Sequence, residues 1–486
     1  MKIMYKDLRD LLSDFERIGL LKRVKVSVDL NLELAEILRR VMYKKGPMLL
    51  FESIKGYPNW RVAGNMFGSI EMVKKALNVD DLEIIGKRFL EPLMQPLPMG
   101  ILDKLRTLPE ILSFSKYLPK KVGSGPVKDV KIDGEKATFD LLPIPKIWPK
   151  DGGKYITYPL VITRDPETGV NNMGVYRMQI LDNKRAAMHW QIHKRGALAY
   201  QKTRELGKER IEVSIAIGAD PGTMFSGVAP VPYPIDKLLF AGIVRGEGLE
   251  VINSENSDIL VPARAEIVLE GYVSINELVM EGPFGDHMGY YTPPEQYPVF
   301  HLETITMRRD PIYYVTVVGK PPLEDAWIGK AIERIFLPIV KVLLPEIVDI
   351  NLPEYGLFQG LGIVSIKKRY PGHARKVMMG LWGLGQFSLT KMIIVVDHDV
   401  NVHDINQVIY NLVTNVDPAR DIMIINNAVT DVLDPASTIT GIGSKIGIDA
   451  TRKLPEECGK TWPEPVEPDP ETIKLVNNRW KEYGID

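Results

Sequence analysis

The middle of the chain is a succession of short strand patterns, each closed by a turn rich in Gly, Pro or Asp. In the segment 211–218, Ile211, Val213, Ile215 and Ile217 occupy alternate positions, which predicts a strand with one buried face. Comparable strand patterns span residues 158–165, 173–181, 185–193 and 265–273. Many short strands between such turns favour a barrel or a sandwich.

Helix and strand patterns alternate on both sides of this strand-rich centre. Apolar residues at helical spacing between positions 8 and 18, a helix beginning at Asn31 and a short strand pattern at 46–54 predict a mixed α/β region. The apolar stretch 323–347 predicts a long connecting helix, which Pro338 should kink or break because proline lacks the backbone N–H. Alternating patterns after this helix predict an α/β domain with a partly parallel sheet.

The predicted fold class is therefore α/β with a β-rich centre, divided into five segments. These are an N-terminal α/β region at 1–115, a β-barrel domain at 116–322, a connecting helix at 323–347, a C-terminal α/β domain at 348–460, and a linker with a terminal helix at 461–486. The terminal helix carries Leu475, Val476 and Trp480. We expect this apolar face to pack on its own chain or on a partner subunit.

The charge balance and the single cysteine exclude several classes of protein. The 486 residues contain 61 Lys plus Arg and 62 Asp plus Glu, so no basic field predicts nucleic-acid binding. Cys458 is the only cysteine, which excludes a disulfide framework within the chain and a Cys-rich zinc site. No signal-peptide pattern begins the sequence, and no apolar run is long enough for a membrane span. We expect a cytoplasmic globular protein.

The turn at 281–287, with the sequence EGPFGDH, is the first candidate site. Pro283 and two glycines predict a compact bend, and Glu281 and Asp286 lie five positions apart across it. Two neighbouring carboxylates titrate as a coupled pair, so that one can keep its proton near neutral pH and serve as a general acid. The alternative is an ordinary loop whose acids face water.

Arg177 forms a second candidate with Asn172. Arg177 has apolar neighbours, and such an arginine usually pairs with a carboxylate or a bound anion. In a regular strand the two side chains would point to opposite faces. A bulge at Gly174, or a position of Asn172 just before the strand, would bring them together. The alternative is a surface arginine and a turn asparagine.

The third candidate is the segment MHWQIHKRGA at residues 188–197. His189, Gln191 and His193 share one face of a predicted strand, and Lys194 and Arg195 come directly after it. His193 could bind a metal, and the basic pair could contact phosphate. The sequence contains no HExxH pair, GxGxxG fingerprint, P-loop or GxSxG elbow.

Taken together, these stretches resemble the UbiD family of decarboxylases. The sequences NNMGVYRMQ, HWQIHKRGA, AIGADP, LEGYV, LTKMIIVVD and the long stretch beginning at EGPFGDHMGYY occur in the order and spacing of that family. The resemblance covers nearly the whole chain, and residues 281–291 are its most specific part.

The resemblance implies a fold, a cofactor and partners. It implies a central split β-barrel that binds flavin and a C-terminal domain used in oligomerisation, giving a homodimer or a hexamer. The implied cofactor is prenylated FMN, supplied by a separate flavin prenyltransferase. A divalent metal, usually manganese, and a potassium ion are expected to join the cofactor phosphate to the protein.

The resemblance also implies roles for particular residues. Arg177, Glu281 and Asp286 correspond to the catalytic network of the family. Asn172 and His193 correspond to two metal ligands that also belong to the cofactor site. The further positions expected to contact the cofactor are Val175, Tyr176, Arg177, His189, Trp190, Gln191, Lys194, Arg195 and Lys391.

One position departs from the family pattern. The third metal ligand of the family is a Glu four residues before the Ala of an FAG segment, and Lys237 stands at this place, next to Asp236. Lysine has no acceptor and cannot replace a carboxylate ligand. Either Asp236 takes over as the ligand, or the Lys237 ammonium replaces the charge of the metal at the phosphate.

The implied activity is reversible, non-oxidative decarboxylation of a conjugated carboxylic acid, either α,β-unsaturated or aromatic, through a covalent adduct with prenylated FMN. Arg177 would hold the substrate carboxylate, and Asp286 or Glu281 would supply the proton. We expect trans-anhydromevalonate 5-phosphate, from isoprenoid synthesis, as the substrate. Alternatives are 4-hydroxy-3-polyprenylbenzoate or another aromatic acid, an oxidoreductase that uses unmodified FMN, and a non-catalytic subunit of a carboxylase.

Overall fold

The computed structural model describes residues 4–91, 94, 114–191 and 194–485. Its strands, in chain order, are β1 (Leu21–Val24), β2 (Met48–Phe51), β3 (Arg61–Gly64), β4 (Lys120–Lys121), β5 (Val130–Asp133), β6 (Tyr155–Ile156), β7 (Leu160–Arg164), β8 (Asn171–Val175), β9 (Met178–Ile180), β10 (Arg185–Met188), β11 (Arg210–Ile217), β12 (Glu250–Asn253), β13 (Leu260–Pro262), β14 (Ile267–Glu281), β15 (Phe284–Gly285), β16 (Tyr291–Thr292), β17 (Glu295–Met307), β18 (Ile312–Val315), β19 (Ile347–Asn351), β20 (Leu361–Ile366), β21 (Met392–Asp397), β22 (Ile422–Val429) and β23 (Ile442–Asp449). The α-helices span Leu8–Arg17, Glu33–Tyr43, Ile70–Ala76, Glu83–Leu90, Arg195–Glu205, Pro221–Val228, Lys237–Arg245, Glu324–Leu343, His373–Trp382, Ile405–Asn415, Pro418–Asp421, Pro455–Cys458 and Pro470–Arg479.

The N-terminal region is a sheet in the order β1-β2-β3-β18 with helices against it. The helical spacing near the N-terminus is confirmed, because Leu8, Leu11 and Phe15 are buried on one face of the helix Leu8–Arg17. β18 lies within the segment predicted to form the barrel, yet it pairs in parallel with β3. Nothing local in the sequence signals this pairing, which crosses more than two hundred residues. The five segment boundaries remain predictions.

The centre is a curled, half-barrel sheet in the order β6-β9-β10-β17-β14-β11-β7-β8, with β5 paired to β17. At one end of this order, β8 is joined along the chain by Tyr176 and Arg177 alone to β9, the second strand from the other end. Two residues span only about 7 Å, so the ends of the sheet must lie close together. This curl agrees with the predicted barrel-like centre.

The strand β11 differs from its predicted pattern. Ile211, Val213, Ile215 and Ile217 are buried as expected. Ser214 and Ala216 are buried as well, so the second half of β11 is covered on both faces. Elements that are distant in sequence cover the outer face. The alternation of residues along one strand cannot predict such burial.

The connecting helix runs from Glu324 to Leu343 and continues through Pro338. Of the two expected effects of Pro338, the break is wrong, because the helix continues for five residues beyond it, and the kink stays a prediction. The helix packs closely on the N-terminal region, where a Cβ added at Gly86 would lie 1.9 Å from the carbonyl oxygen of Ile335. Tertiary packing of this kind outweighs the cost of one proline.

The C-terminal region is a sheet in the order β19-β20-β21-β23-β22. β20, β21 and β23 are parallel, and β19 and β22 add antiparallel edges, which confirms the partly parallel sheet. The terminal helix Pro470–Arg479 buries no residue, and Leu475 is 54 % exposed. No described residue of its own chain covers this face.

No helix in the described part of the chain is both long enough and apolar enough to cross a lipid bilayer.

Candidate active site

Arg177 lies where the two ends of the curled sheet meet. It follows β8 and precedes β9, and its carbonyl accepts a hydrogen bond from the His189 backbone N–H at 3.2 Å. Asn172 lies inside β8, so the strand ends between the two residues. The bulge considered at Gly174 is not found, and Asn172 does not lie before the strand. Instead, β8 ends at Val175 and β9 begins at Met178.

Four N–H groups of the Arg177 guanidinium are occupied by side chains from the turn region. Nε and Nη2 donate to the two carboxylate oxygens of Glu281 at 2.9 and 3.1 Å. Nη1 donates to Asp286, and Nη2 also donates to the Thr292 hydroxyl at 3.2 Å. The ring of Phe284 lies under the guanidinium carbon at 4.4 Å. Arginine has five N–H donors, so one has no partner among the described residues.

The turn itself is held by the sheet on both sides. Glu281 is the last residue of the long strand β14, and Asp286 directly follows the short strand β15. The Gly282 backbone N–H donates to Gln179 Oε1 at 2.6 Å, and Gly282 has φ +105°, a region that favours glycine. Both carboxylates of the sequence candidate therefore converge on Arg177, and the alternative of a water-facing loop is wrong.

The Pro-rich boundary before β6 also supports the turn. Asp151 Oδ1 accepts from the Gly285 backbone N–H at 2.8 Å, and Gly152 N–H donates to the Pro283 carbonyl at 2.7 Å. A Cβ at Gly285 would lie 2.2 Å from the Trp148 ring. The Pro-rich composition of residues 139–155 predicts a boundary loop, although the polar sequence Asp-Gly-Gly at 151–153 inside it was a signal of a specific backbone contact.

Two histidines extend the network in opposite directions. His189 Nδ1 lies 3.0 Å from Glu281 Oε2, and the His189 ring packs on Tyr297 with centroids 4.3 Å apart. His287 Nδ1 lies 2.9 Å from Asp286 Oδ1, and its ring stacks on Phe358 of the C-terminal region. His287 therefore joins the site to the C-terminal domain.

The electrostatics of the cluster hold both acids as carboxylates. Burial opposes ionisation of Glu281, but the His189 hydrogen bond and Arg177 lower the pKa of Glu281 to about 2. Burial likewise opposes ionisation of Asp286, yet His287 and Arg177 hold its pKa well below its usual range. The expectation that one of the two acids keeps its proton near neutral pH is wrong in this geometry, because a cation lies between them.

The surroundings of the two histidines shift their pKa values in opposite directions. Burial, followed by the charge of Arg177, lowers the pKa of His189. Burial also disfavours protonation of His287, but the hydrogen bond and charge of Asp286, with Asp431, raise the pKa of His287 above its usual range. Of the two histidines, His287 is therefore the one that holds a proton more readily.

A cavity of about 480 Å³ lies beside this network, between the barrel and the C-terminal domain. Its walls include Trp190, Gln191, Tyr200 and Tyr297 from the barrel and Val432 from the C-terminal domain. Aromatic walls with a few polar groups are typical of sites for planar ligands. Trp190 and Gln191, which were expected to contact a cofactor, both line the cavity.

Two buried ring nitrogens in this region lack a hydrogen-bond partner among the described residues. These are Nε2 of His189 and Nε1 of Trp190. Gly196 allows the helix Arg195–Glu205 to approach Trp190, because a Cβ at this glycine would lie 2.6 Å from that same Nε1. The Trp190 nitrogen therefore faces this helix, which leaves Nε2 of His189 as a candidate contact for a ligand.

The remaining cofactor candidates differ in their surroundings. Tyr176 is buried and its hydroxyl accepts from the Gly196 N–H at 3.2 Å, whereas Val175 is half-buried within β8. Lys391 forms an ion pair with Asp434 at 2.8 Å in the C-terminal domain. His193 lies outside the described residues.

Lys237 stands at the position of the third metal ligand. Its side chain is buried, and its ammonium group donates hydrogen bonds to backbone carbonyls. It donates to the carbonyls of Ser226 at 3.0 Å, Gly227 at 3.4 Å and Ala229. Burial, followed by the charges of Arg195 and Lys194, lowers the pKa of Lys237 to about 7.

Asp236 is also engaged. One carboxylate oxygen of Asp236 caps the helix Lys237–Arg245, accepting from the Leu238 N–H at 2.8 Å. The other accepts from the backbone and the side chain of Asn171 at 3.1 and 2.9 Å. Asn172 donates weakly to Thr163 at 3.4 Å. Among the described residues, the donor set does not fit a divalent metal at this place, because a cation stands where the third ligand is required.

Sequence reasoning missed residues of the C-terminal domain. Asp431 Oδ2 lies 3.9 Å from His287 Nε2 and accepts a hydrogen bond from Gln359. Burial raises the pKa of Asp325, at the start of the connecting helix, to about 7. No motif surrounds these acids, and only the folded chain brings them to the turn.

Three family models match the chain in order along its length. They describe the N-terminal domain of 3-octaprenyl-4-hydroxybenzoate carboxy-lyase at residues 12–89, its Rift-related domain at 120–321 and its C-terminal domain at 326–450. All three are models of the UbiD family.

Relatives of similar length occur in archaea and bacteria. An uncharacterized protein of Aeropyrum pernix is 56 % identical over 99 % of both chains, and one of Archaeoglobus fulgidus is 50 % identical over 98 % of both. An uncharacterized protein of Aquifex aeolicus is 46 % identical over the full length of both chains.

Solved structures agree with this assignment. Vanillic acid decarboxylase of Sedimentibacter hydroxybenzoicus in its closed form superposes with a TM-score of 0.87, with 29 % identity over the whole of both chains. The UbiD-class enzyme HmfF of Pelotomaculum thermopropionicum in complex with FMN has a TM-score of 0.79 and 29 % identity, covering 97 % of this chain and 99 % of that one. An evolved dimeric form of HmfF in complex with prenylated FMN has a TM-score of 0.78 and 27 % identity, covering 98 % of this chain and 100 % of that one. With its fold, its domain order and its full-length relatives in agreement, this chain belongs to the UbiD family of carboxy-lyases, and it is a UbiD-type decarboxylase.

Proposed function

We propose that the protein decarboxylates a small conjugated carboxylic acid in the cavity beside Arg177, with prenylated FMN as cofactor. The observation that carries this proposal is the buried network of Arg177, Glu281 and Asp286 next to an aromatic cavity. A hydride-transferring flavoprotein has no need of a cation held between two buried carboxylates, so the oxidoreductase alternative is not favoured.

The residues around the cavity suit a flavin. Trp190 and Tyr297 offer aromatic surface for a planar ring system, and the unpartnered Nε2 of His189 offers a polar contact. The bound structures of HmfF contain FMN or prenylated FMN, which supports the same cofactor class here. When bound, prenylated FMN would supply the electron sink for the conjugated acid, and a flavin prenyltransferase would supply the cofactor.

Arg177 would bind the substrate carboxylate through its one unoccupied N–H. A bidentate contact is not available, because Glu281, Asp286 and Thr292 occupy the other four donors. A single charged hydrogen bond orients the carboxylate and leaves it free to depart as carbon dioxide. Glu281 would keep the guanidinium in place and hold His189 in one orientation.

Decarboxylation also requires a proton for the carbon that loses carbon dioxide. We assign its delivery to Asp286, and the proton itself to the adjacent His287, whose pKa is raised. The bond between the carboxyl carbon and the conjugated carbon breaks, carbon dioxide leaves, and Asp286 passes a proton from His287 Nδ1 to the conjugated carbon. Solvent protons would recharge His287 through the side that faces Asp431.

The substrate we propose is trans-anhydromevalonate 5-phosphate. The cavity is small and has Gln191, Gln201, Arg204 and Glu295 in its walls. A polyprenyl chain requires an extended apolar surface, whereas these polar groups suit a short acid with a charged end. Because vanillic acid decarboxylase has a similar structure, an aromatic acid is the second candidate.

Manganese and potassium, which the resemblance led us to expect, are not part of this proposal. Lys237 occupies the position of the third ligand, and Asp236 is engaged with Asn171 and a helix N-terminus. No catalytic step is assigned to a metal ion.

Self-association through the C-terminal region forms part of the proposal. Ile409, Tyr410 and Val413 leave an apolar face of the helix Ile405–Asn415 exposed, and the terminal helix exposes Leu475. Exposed apolar faces of this kind usually mark interfaces. We expect a homodimer or a hexamer of dimers in light scattering, and a monomer at micromolar concentration would contradict this.

A direct test is carbon dioxide release by protein loaded with prenylated FMN. The assay would compare trans-anhydromevalonate 5-phosphate with vanillate and with an unrelated saturated acid. Turnover of the phosphorylated acid alone would support the proposed substrate, and turnover of vanillate alone would support an aromatic acid. No release from any conjugated acid by fully loaded protein would overturn the proposed function.

A further inference from the structure

Three cations lie together at the start of two helices. Lys194 and Arg195 begin the helix Arg195–Glu205, and Lys237 begins the helix Lys237–Arg245. The two helix starts are close in space, because the Arg195 guanidinium donates to the carbonyl of Ile235, two residues before Lys237. Clusters of buried like charge are unfavourable unless a counter-ion compensates them.

The chain itself supplies little compensation. Among the described residues, no carboxylate forms an ion pair with any of these three side chains. The Arg195 guanidinium donates to the Ile235 carbonyl at 2.9 Å, and Asp236 and Asp165 act on it only at longer range. Asp431 acts on Lys194 in the same indirect way. The net positive charge of the cluster therefore favours binding of an anion such as a phosphate monoester.

The Lys237 ammonium sits in a cage of backbone oxygens. Its contacts are the carbonyls of Ser226, Gly227 and Ala229, at and just beyond the end of the helix Pro221–Val228. Several carbonyl oxygens converging on one monovalent cation is the arrangement that proteins use to bind potassium. In this chain the cage is filled by a covalently attached cation.

We propose that Lys237 is a built-in replacement for the metal ions at the cofactor phosphate, so that the enzyme holds its flavin without potassium or a divalent metal. Lys237 supplies the positive charge from the carbonyl cage, and Lys194 and Arg195 supply the charges that face the phosphate. This inference rests on the proposed function, since it assumes that a flavin phosphate lies at the cluster. It explains why Lys237 stands where a carboxylate ligand would be required and why Asp236 is used as a helix cap.

The first experiment uses wild-type protein co-produced with a flavin prenyltransferase. The loaded protein is dialysed against EDTA in tetramethylammonium buffer, and both the flavin absorbance and the metal content are measured. We expect full retention of flavin with substoichiometric divalent metal and potassium. Near one equivalent of divalent metal per flavin, lost to EDTA together with the flavin, would overturn the inference while leaving the proposed function intact.

The second experiment removes the ammonium and opens the cage. Lys237→Ala should weaken flavin binding by about 10- to 100-fold in tetramethylammonium buffer, the loss expected for one charged contact. Added potassium should restore binding, because it can enter the vacated carbonyl cage. Flavin binding equal to wild type without potassium would overturn the inference.

Lys445 offers a matched control in the C-terminal domain. It is equally buried, and its ammonium donates to the carbonyls of Ser388 and Thr390 at 2.6 and 3.0 Å. Lys445→Ala should leave flavin retention unchanged whether or not potassium is present. An equal loss of flavin in this variant would show that removing any buried ammonium has the effect, which would also contradict the assignment. If Lys237→Ala does not fold, the wild-type measurement decides the question.

The two experiments also separate the inference from the proposed function. Wild-type protein that binds no flavin, although the prenyltransferase is active, would overturn both. Flavin with bound divalent metal would overturn the inference alone.

Discussion

Two charge clusters lie in the central domain, and the chain balances them differently. Around Arg177, two carboxylates and a hydroxyl from the turn accept hydrogen bonds from the guanidinium, and His287 provides a further proton-binding group. In the other cluster, Lys237 and Arg195 contact backbone carbonyls, and among the described residues no carboxylate forms an ion pair with either of them or with Lys194. The charges of the first cluster are balanced before a ligand arrives, whereas we propose that an anion balances the second.

The difference in charge balance suits the two clusters to different roles. A network with balanced charges can hold a reacting carboxylate and a proton in fixed positions. A cluster of unbalanced charges destabilises the free protein, and a ligand that binds only the folded state stabilises that state again. We therefore interpret the Arg177 cluster as the chemical part of the site and the Lys237 cluster as its anchor.

Removing the cation from the balanced cluster should have the largest effect. Arg177→Met leaves Glu281 and Asp286 buried without their counter-ion, and we expect the free energy of unfolding to fall by about 3–5 kcal/mol. Urea denaturation at neutral pH measures this change. In the control Arg264→Met, which breaks a half-exposed pair with Glu250, the loss should be about 1 kcal/mol or less. Equal losses in the two variants would contradict the interpretation of the Arg177 cluster.

Neutralising one acid should affect chemistry more than binding. Glu281→Gln keeps the size of the side chain but weakens its contacts with Arg177 and His189, and we expect carbon dioxide release to fall by about 10²- to 10⁴-fold. The flavin should remain bound, as measured by its absorbance after gel filtration. Glu277→Gln on the same strand, which pairs with His301 near the surface, should keep the wild-type rate. Full activity of Glu281→Gln would rule out a catalytic role.

Removing a cation from the Lys237 cluster should weaken flavin binding without lowering the stability of the flavin-free protein. Lys194→Met should weaken flavin binding by about tenfold or more, since it removes one charged contact. The free energy of unfolding of the flavin-free protein should not decrease, because Lys194 forms no ion pair with any residue that the structure describes. Lys202→Met on the same helix removes a lysine already paired with Asp165 and Glu167, and flavin binding should not change. Loss of stability without loss of binding in Lys194→Met would contradict the anchor role.

The pH dependence of stability should reveal the proton on His287, with a smaller effect than the substitutions above. A raised pKa in the folded state contributes stability that is fully present below the unfolded value, about 6.5, and is lost as pH rises through the folded value. Wild-type stability should therefore decline over this range. In His287→Asn the decline should be reduced, which urea midpoints at several pH values would detect. An unchanged decline would assign it to another group.

The candidate site shows what the sequence can and cannot predict. The curled sheet, the connecting helix and the partly parallel C-terminal sheet follow from strand alternation and helical spacing, which are local properties. The pairing of Arg177 with Glu281 and Asp286 spans 104 and 109 residues, and only the family resemblance suggested it.

Other features depend on tertiary contacts that no local pattern records. β18 joins a sheet formed by the start of the chain, and Asp431 reaches His287 from the C-terminal domain. The protonation state of the two acids was predicted wrongly from their spacing, because the position of Arg177 between them decides it. The sequence left two explanations open for Lys237, and its carbonyl cage favours the second.

The most direct test of the central claim is native mass spectrometry of the protein co-produced with an active flavin prenyltransferase. Our account predicts one bound mass corresponding to prenylated FMN per chain, with no additional mass for a divalent metal. A chain without any flavin, or one that binds only unmodified FMN while the prenyltransferase product is available, would contradict it.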